Sequence, residues 1–166
     1  MPQAAWEQRS LTAWESQFDR PTEAEVLSHY NQQTLGMFTL VREKLHKLGE
    51  MTEVMEYMGP PWHWCFLINP ADAAEGRERS WAYLVPNTEV PLLAMPMDLT
   101  MVERLPMRRI KKHVREQVAR GKKVGTITYA EWSINAKSQL EDIMEMVNRL
   151  YKLRTEDPLN KTSKRG

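Results

Sequence analysis

The apolar residues of the first fifty positions repeat at helical spacing. Val26, Leu27, Tyr30, Met37, Leu40, Val41, Leu45 and Leu48 recur every three or four residues up to Gly49, a fitting C-terminal stop. Thr22 precedes the run with Glu25 three residues on, so the hydroxyl can cap the backbone and the carboxylate can return the bond. A helix is therefore predicted over 22–48, either unbroken or as two collinear pieces parting between Asn31 and Thr34. From Met51 the apolar runs become short, aromatic or β-branched and are punctuated by proline, which is the pattern of strands. Strands are expected at 51–58, 62–68, 80–85 and 89–95, in an antiparallel meander broken by Gly59-Pro60-Pro61, the polar loop 69–79 and the turn 86–88. The first is ambiguous, because Glu53 and Glu56 fit neither period. Pro91 cannot donate to a ladder, which places 89–95 at a sheet edge or on a bulge and leaves the other strands central.

In the second half, Thr100 and Glu103 repeat the capping pattern before a narrow stripe of Met107, Ile110, Val114 and Val118, predicting a helix over 101–120 that ends near Gly121. Residues 124–134 read as a fifth strand, and a last helix over 137–154 opens at Ser138 and buries Leu140, Ile143, Met144, Val147, Leu150 and Tyr151. The sum is one α+β domain over 21–154: an antiparallel sheet of about five strands with three main helices, 22–48, 101–120 and 137–154, packed on one face. Residues 1–20 are weakly patterned and suggest a short helix docking through Trp6, Leu11, Trp14 and Phe18; residues 155–166 suggest a flexible polar tail.

A chain of 166 residues with 42% hydrophobic and 27% charged content suits one globular domain and excludes fibrous or wholly disordered classes. No apolar run approaches the ~20 residues of a membrane-spanning helix, and the start lacks the basic-then-apolar order of a secretory signal, so a cytoplasmic location without a membrane partner is expected. The single Cys65 excludes an intramolecular disulfide and sits in an apolar run as a small core residue.

Charge changes the picture more than composition does. Residues 1–100 carry 7 bases against 14 acids, while residues 101–166 carry 16 against 8. Nine of those bases lie within 104–123 beside one acid, Glu116. The commonest fate of such a stretch is a solvated helix face, but it also attracts anions: a nucleic-acid backbone, an anionic ligand, or the acidic half of another copy in a homo-oligomer. Nucleic acid would be held by Arg108, Arg109, Lys112, Arg115, Lys122 and Lys123. Near-neutral total charge and the lack of a helix-turn-helix, zinc-finger or RNA-recognition signature weigh against it.

Strand alternation places Trp62, Trp64, Phe66 and Ile68 on one face, and Trp81 with Tyr83 on one face of the next strand. Most such faces pack beneath helices; otherwise the rings form a wall for a flat or cationic group. The expected function is thus a binding module for a small anionic or aromatic ligand held by Trp64, Tyr83, Arg108 and Arg109. His63 and Cys65 would point to the opposite face, two ligands where a closed zinc site needs four, so neither metal nor cofactor is expected. No nucleophile elbow, phosphate loop, dinucleotide fingerprint or HExxH motif occurs, so no catalytic residue is assigned and an enzyme of unknown type stands third behind the two binding readings.

Pro21-Thr22-Glu23 before a long helix, the strand with Trp62 and Trp64, the segment Trp81–Pro86, then a basic helix, a strand and a closing helix with Leu140–Ile143 resemble an uncharacterised bacterial family, domain of unknown function 3788. The resemblance spans roughly residues 20 to 154, departing at 71–79 and at Gly59-Pro60-Pro61. It implies a compact α+β fold and bacterial origin, and it transfers no catalytic residue.

Overall fold

The computed structural model describes residues 17–73, 79–86 and 89–156, so the expectations for the N-terminal helix before residue 17 and for the extreme tail lie outside the described residues, while Phe18, expected to dock, sits outside any helix and is 90% exposed. Six antiparallel strands form one sheet: β1 (Met51–Tyr57), β2 (Trp64–Pro70), β3 (Ala82–Val85), β4 (Leu92–Asp98), β5 (Lys122–Val124) and β6 (Ile127–Ser133), in the order β1-β2-β3-β4-β6-β5. Helices α1 (Glu23–Leu27), α2 (Gln32–His46), α3 (Leu99–Arg104), α4 (Lys112–Arg120) and α5 (Lys137–Glu156) complete the α+β fold. Among the described residues no helix is long and apolar enough to cross a membrane.

The helices bury one face of the sheet. Phe66, Ile68, Leu84, Leu93, Met95 and Trp132 meet Phe38, Val41 and Leu45 of α2, Val114 and Val118 of α4, and Leu140, Ile143, Met146, Val147 and Leu150 of α5 in one core. Trp132 Nε1 donates to the Val114 carbonyl at 3.2 Å, tying β6 to α4. On the opposite face Cys65, Leu67, Tyr83, Val85, Leu92 and Ala94 form a smaller cluster against which Trp62 packs.

Local chemistry accounts for the helix boundaries. Thr22 and Glu25 make both limbs of the expected capping box on α1. The segment 22–48 is two helices: Asn31 interrupts it and caps α2, its Oδ1 accepting from Thr34 N at 2.8 Å. The expected helix 101–120 is likewise divided. Asp98, rather than Thr100, caps α3; Leu105 is extended ahead of Pro106, as a residue preceding proline tends to be, and a 3₁₀ turn at Met107–Arg109 leads into α4.

Three strand expectations are corrected. In place of one strand over 124–134 there is a hairpin over 122–133, β5 and β6 joined by the two-residue loop Gly125-Thr126, where Gly125 adopts φ 64 as such hairpins require. Residues 89–95 are not at an edge: β4 lies between β3 and β6. Pro91 stands just before β4 and uses only its carbonyl, which accepts from Ile134 N at 2.8 Å, while Pro96 lies beyond the 92–94 pairing with β3, where β4 is paired on one side alone. The edges are instead β1 and β5. In β1, Glu53 turns inward beneath α2, and Arg42 donates through Nε to its two oxygens at 2.8 and 3.1 Å. His46 Nε2 lies 3.1 Å from the same carboxylate, and Arg42 also pairs with Glu23 while stacking 5.2 Å over the Phe66 ring.

Candidate functional site

The chain leaves β4, makes α3, the 3₁₀ turn and α4, then turns directly into β5 through Gly121. That order gathers the basic stretch onto one edge of the molecule. Val114 and Val118 bury the inner side of α4, so its charged positions are held outward. Arg104, Arg108, Arg109, Lys111, Lys112, Arg120, Lys122 and Lys123 are all exposed. Among the described residues only Lys112 has an acidic partner, Glu116 at 3.8 Å, and such an exposed pair contributes little. His113 is held separately, 2.7 Å from Asp142 Oδ2.

Two recesses open on this edge. One, of about 380 Å³, runs between α3, α4 and β5; Leu99, Met107 and Val118 supply its apolar floor, and Arg115, Lys123 and Glu116 its charged rim. Leu99 is about half exposed there. The other, of about 400 Å³, lies on the second face of the sheet, where the loop from Met58 to Trp62 reaches Lys122, Tyr129 and Glu131. Trp62 packs at 5.4 Å on Tyr83 and is fixed by the turn around it: His63 N donates to the Gly59 carbonyl at 2.8 Å and Met58 N to the His63 carbonyl at 2.7 Å.

The nucleic-acid set is spread along this stretch, with Arg108 and Arg109 on the turn, Lys112 and Arg115 on α4, and Lys122 and Lys123 on β5, where Lys123 joins Arg115 at the recess beside α4 and Lys122 lines the recess on the opposite face of the sheet. Arg115 is partly committed, its Nη1 donating to the Ile110 carbonyl at 3.1 Å. The small-ligand set does not assemble. Trp64 belongs to the helix-side core at 6% exposure, Tyr83 to the opposite cluster at 3%, and Arg108 and Arg109 lie out on the basic edge.

The pairing of aromatic residues is corrected for a related reason. His63 has φ 59, which reverses the chain before β2 begins, so Trp62 joins the Tyr83 side instead of the Trp64 side. Trp81 precedes β3 and packs on the helix side, away from Tyr83. The Trp62–Tyr129–Lys122 recess was missed for this reason; the signal for it was Gly59-Pro60-Pro61, a turn that breaks strand alternation ahead of Trp62. Cys65 is fully buried, and that burial pushes its thiol up to about 12, so the thiolate a nucleophile needs is not formed at neutral pH. Among the described residues no three His, Cys, Asp or Glu side chains gather as a metal group. The chain matches no family model, no curated protein and no solved structure at a significant level.

Proposed function

We propose that this protein binds nucleic acid through the phosphate backbone, using the edge formed by the 3₁₀ turn, α4 and β5. The observation that carries the reading is a run of exposed cations without acidic partners among the described residues: Arg104, Arg108, Arg109, Lys111, Arg120, Lys122 and Lys123. Self-repulsion among unpaired like charges destabilises a folded state, and a polyanion relieves it. The crowding is sharpest where Lys111 and Lys112 stand at the N-terminus of α4, the positive end of the helix dipole, with no side chain capping it. Trp62 and Tyr129 beside Lys122 add a stacking surface, which favours a single strand over a duplex.

Fluorescence anisotropy with a labelled oligothymidylate tests this reading. Binding is expected at low salt and weakens on a log–log plot with a slope of about −0.7 per phosphate neutralised on a single strand. The double variant Lys122→Gln, Lys123→Gln should flatten that slope by one to two phosphates, since both side chains are exposed and outside the core. A duplex of equal length bound as tightly would remove the stacking component. Absence of salt-dependent binding at low ionic strength would refute the proposal.

A further inference from the structure

At the end of the sheet where β3 begins, β4 ends and β6 begins, a recess of about 290 Å³ opens against α3 and the last turn of α5. It is small for a ligand site. Trp81, Met101 and Ile127 give it apolar walls, and Arg79, Arg154 and Asp98 place both signs of charge around them. We propose that it binds a small zwitterion of the amino-acid type, with the carboxylate at Arg79 and Arg154, the ammonium at Asp98 and the side chain on Trp81.

The charged groups are held before any ligand arrives. Arg154 lies 5.0 Å over the Tyr151 ring, its Nη1 is 3.1 Å from Asp72 Oδ1, and Tyr151 in turn meets Trp81 edge-on at 5.9 Å. Asp98 Oδ1 accepts from Thr100 N at 3.2 Å and faces the Thr100 hydroxyl at 3.4 Å, which leaves Oδ2 without a partner among the described residues. The Trp81 backbone N–H is fixed by Asn69 Oδ1 at 2.8 Å. Ser80, buried in the lining, gives its N–H to the Tyr83 hydroxyl at 2.9 Å and accepts from the Asn69 amide at 3.2 Å. Its own O–H has no acceptor among the described residues and can donate to a carboxylate.

Charge balance selects the ligand class. A phosphate or dicarboxylate would meet two guanidiniums, but Asp72 already offsets one and Asp98 would repel the second negative charge. One carboxylate suits Arg79 and one ammonium suits Asp98, and Trp81 offers an apolar wall for the side chain. The site shares no lining residue with the basic edge, so it stands independently of nucleic-acid binding.

The test is isothermal titration of the full chain with L-phenylalanine, 3-phenylpropionate, which lacks the ammonium, and 2-phenylethylamine, which lacks the carboxylate, after a thermal-shift screen of the twenty common amino acids. The zwitterion that scores best is expected to bind at least tenfold more tightly than its two single-charge analogues, the usual consequence of losing one charge-assisted hydrogen bond. Asp98→Asn keeps an amide oxygen able to cap α3, so the fold is preserved; it should weaken the amino acid tenfold while leaving 3-phenylpropionate bound at least as tightly, because a repelling charge is removed. Arg79→Gln, at an exposed position, should weaken both carboxylates. Equal binding of phenylalanine and 3-phenylpropionate, indifference to Asp98→Asn, or no amino acid bound at 10-millimolar order concentrations would each overturn the proposal.

Discussion

Burial raises the pKa of a carboxyl group, and Glu53 is pushed that way by its position under α2, yet hydrogen bonds from Arg42 and His46 and their charges outweigh it and hold the group below its ordinary 4.5. A carboxyl depressed in the folded state stabilises it above the unfolded pKa and ceases to do so as pH falls through the folded value. The stability from Glu53 is therefore fully present above about pH 4.5 and is lost on acidification below it. Glu53→Gln should lower stability at pH 7 by about 1–3 kcal/mol, because the half-buried Arg42 fork keeps Glu23 but loses the more buried of its two carboxylate partners. The gap to wild type should then shrink toward pH 3 in urea titrations; a gap of constant size across that range would exclude this account. Glu53 also shows where residue-level reading stops. An acid on an inward position breaks the strand pattern, and only the partner eleven positions earlier, Arg42, makes it sensible. Trp62 is the converse case: alternation was applied one turn too early, because a non-glycine residue at positive φ, His63, is not visible in residue types.

Element boundaries were legible wherever a local chemical group sets them. Thr22 with Glu25 starts α1 and Asn31 starts α2, both through short-range side-chain bonds readable from the chain. The 101–120 segment was read through Pro106 because a capping pattern at Thr100 and Glu103 precedes it and an apolar stripe follows it; the stripe reports which face is buried, while the proline decides whether the backbone stays helical. The β5–β6 hairpin was missed because the β-branched run hides a single glycine. Two glycines now separate backbone from packing effects. At Gly125 an added Cβ would meet nothing within 4 Å, so Gly125→Ala should cost only the left-handed backbone term, about 1 kcal/mol, and Gly125→Asn should recover most of it. At Gly49 the φ is ordinary, but an added Cβ would strike the Tyr151 hydroxyl. Gly49→Ala should therefore be relieved in part by Tyr151→Phe, which removes the hydroxyl but leaves the ring Cζ at 3.0 Å, whereas Gly125→Ala should not respond. Denaturation midpoints of the four variants decide this, and rescue of both by Tyr151→Phe would remove the distinction.

At the scale of the whole molecule, sheet order turns a sequence asymmetry into a spatial one. The acid-rich first part of the chain builds α1, α2 and β1, where residues 17–57 hold seven acids against four bases. The basic stretch builds α4 and β5, and β1 and β5 are the two opposite edges of the sheet. Five inter-strand steps separate them, about 24 Å at the usual strand spacing, which exceeds the screening length of about 8 Å at physiological salt. The poles therefore do not neutralise each other within one molecule. Two copies can do so by placing the β1 edge of one against the β5 edge of the next, a heterologous contact that leaves both ends open and does not close into a dimer. Sedimentation velocity should accordingly show mass rising with concentration at 10-millimolar order salt, where the screening length grows to about 30 Å, and a monomer once salt is raised. An oligothymidylate added at low salt should dissolve the assembly, because it competes for Lys122 and Lys123. A monomer at every salt concentration would show that the poles are too well hydrated to attract each other, and a species unmoved by salt would assign the contact to apolar groups, with exposed Val54 on the β1 edge the first to replace.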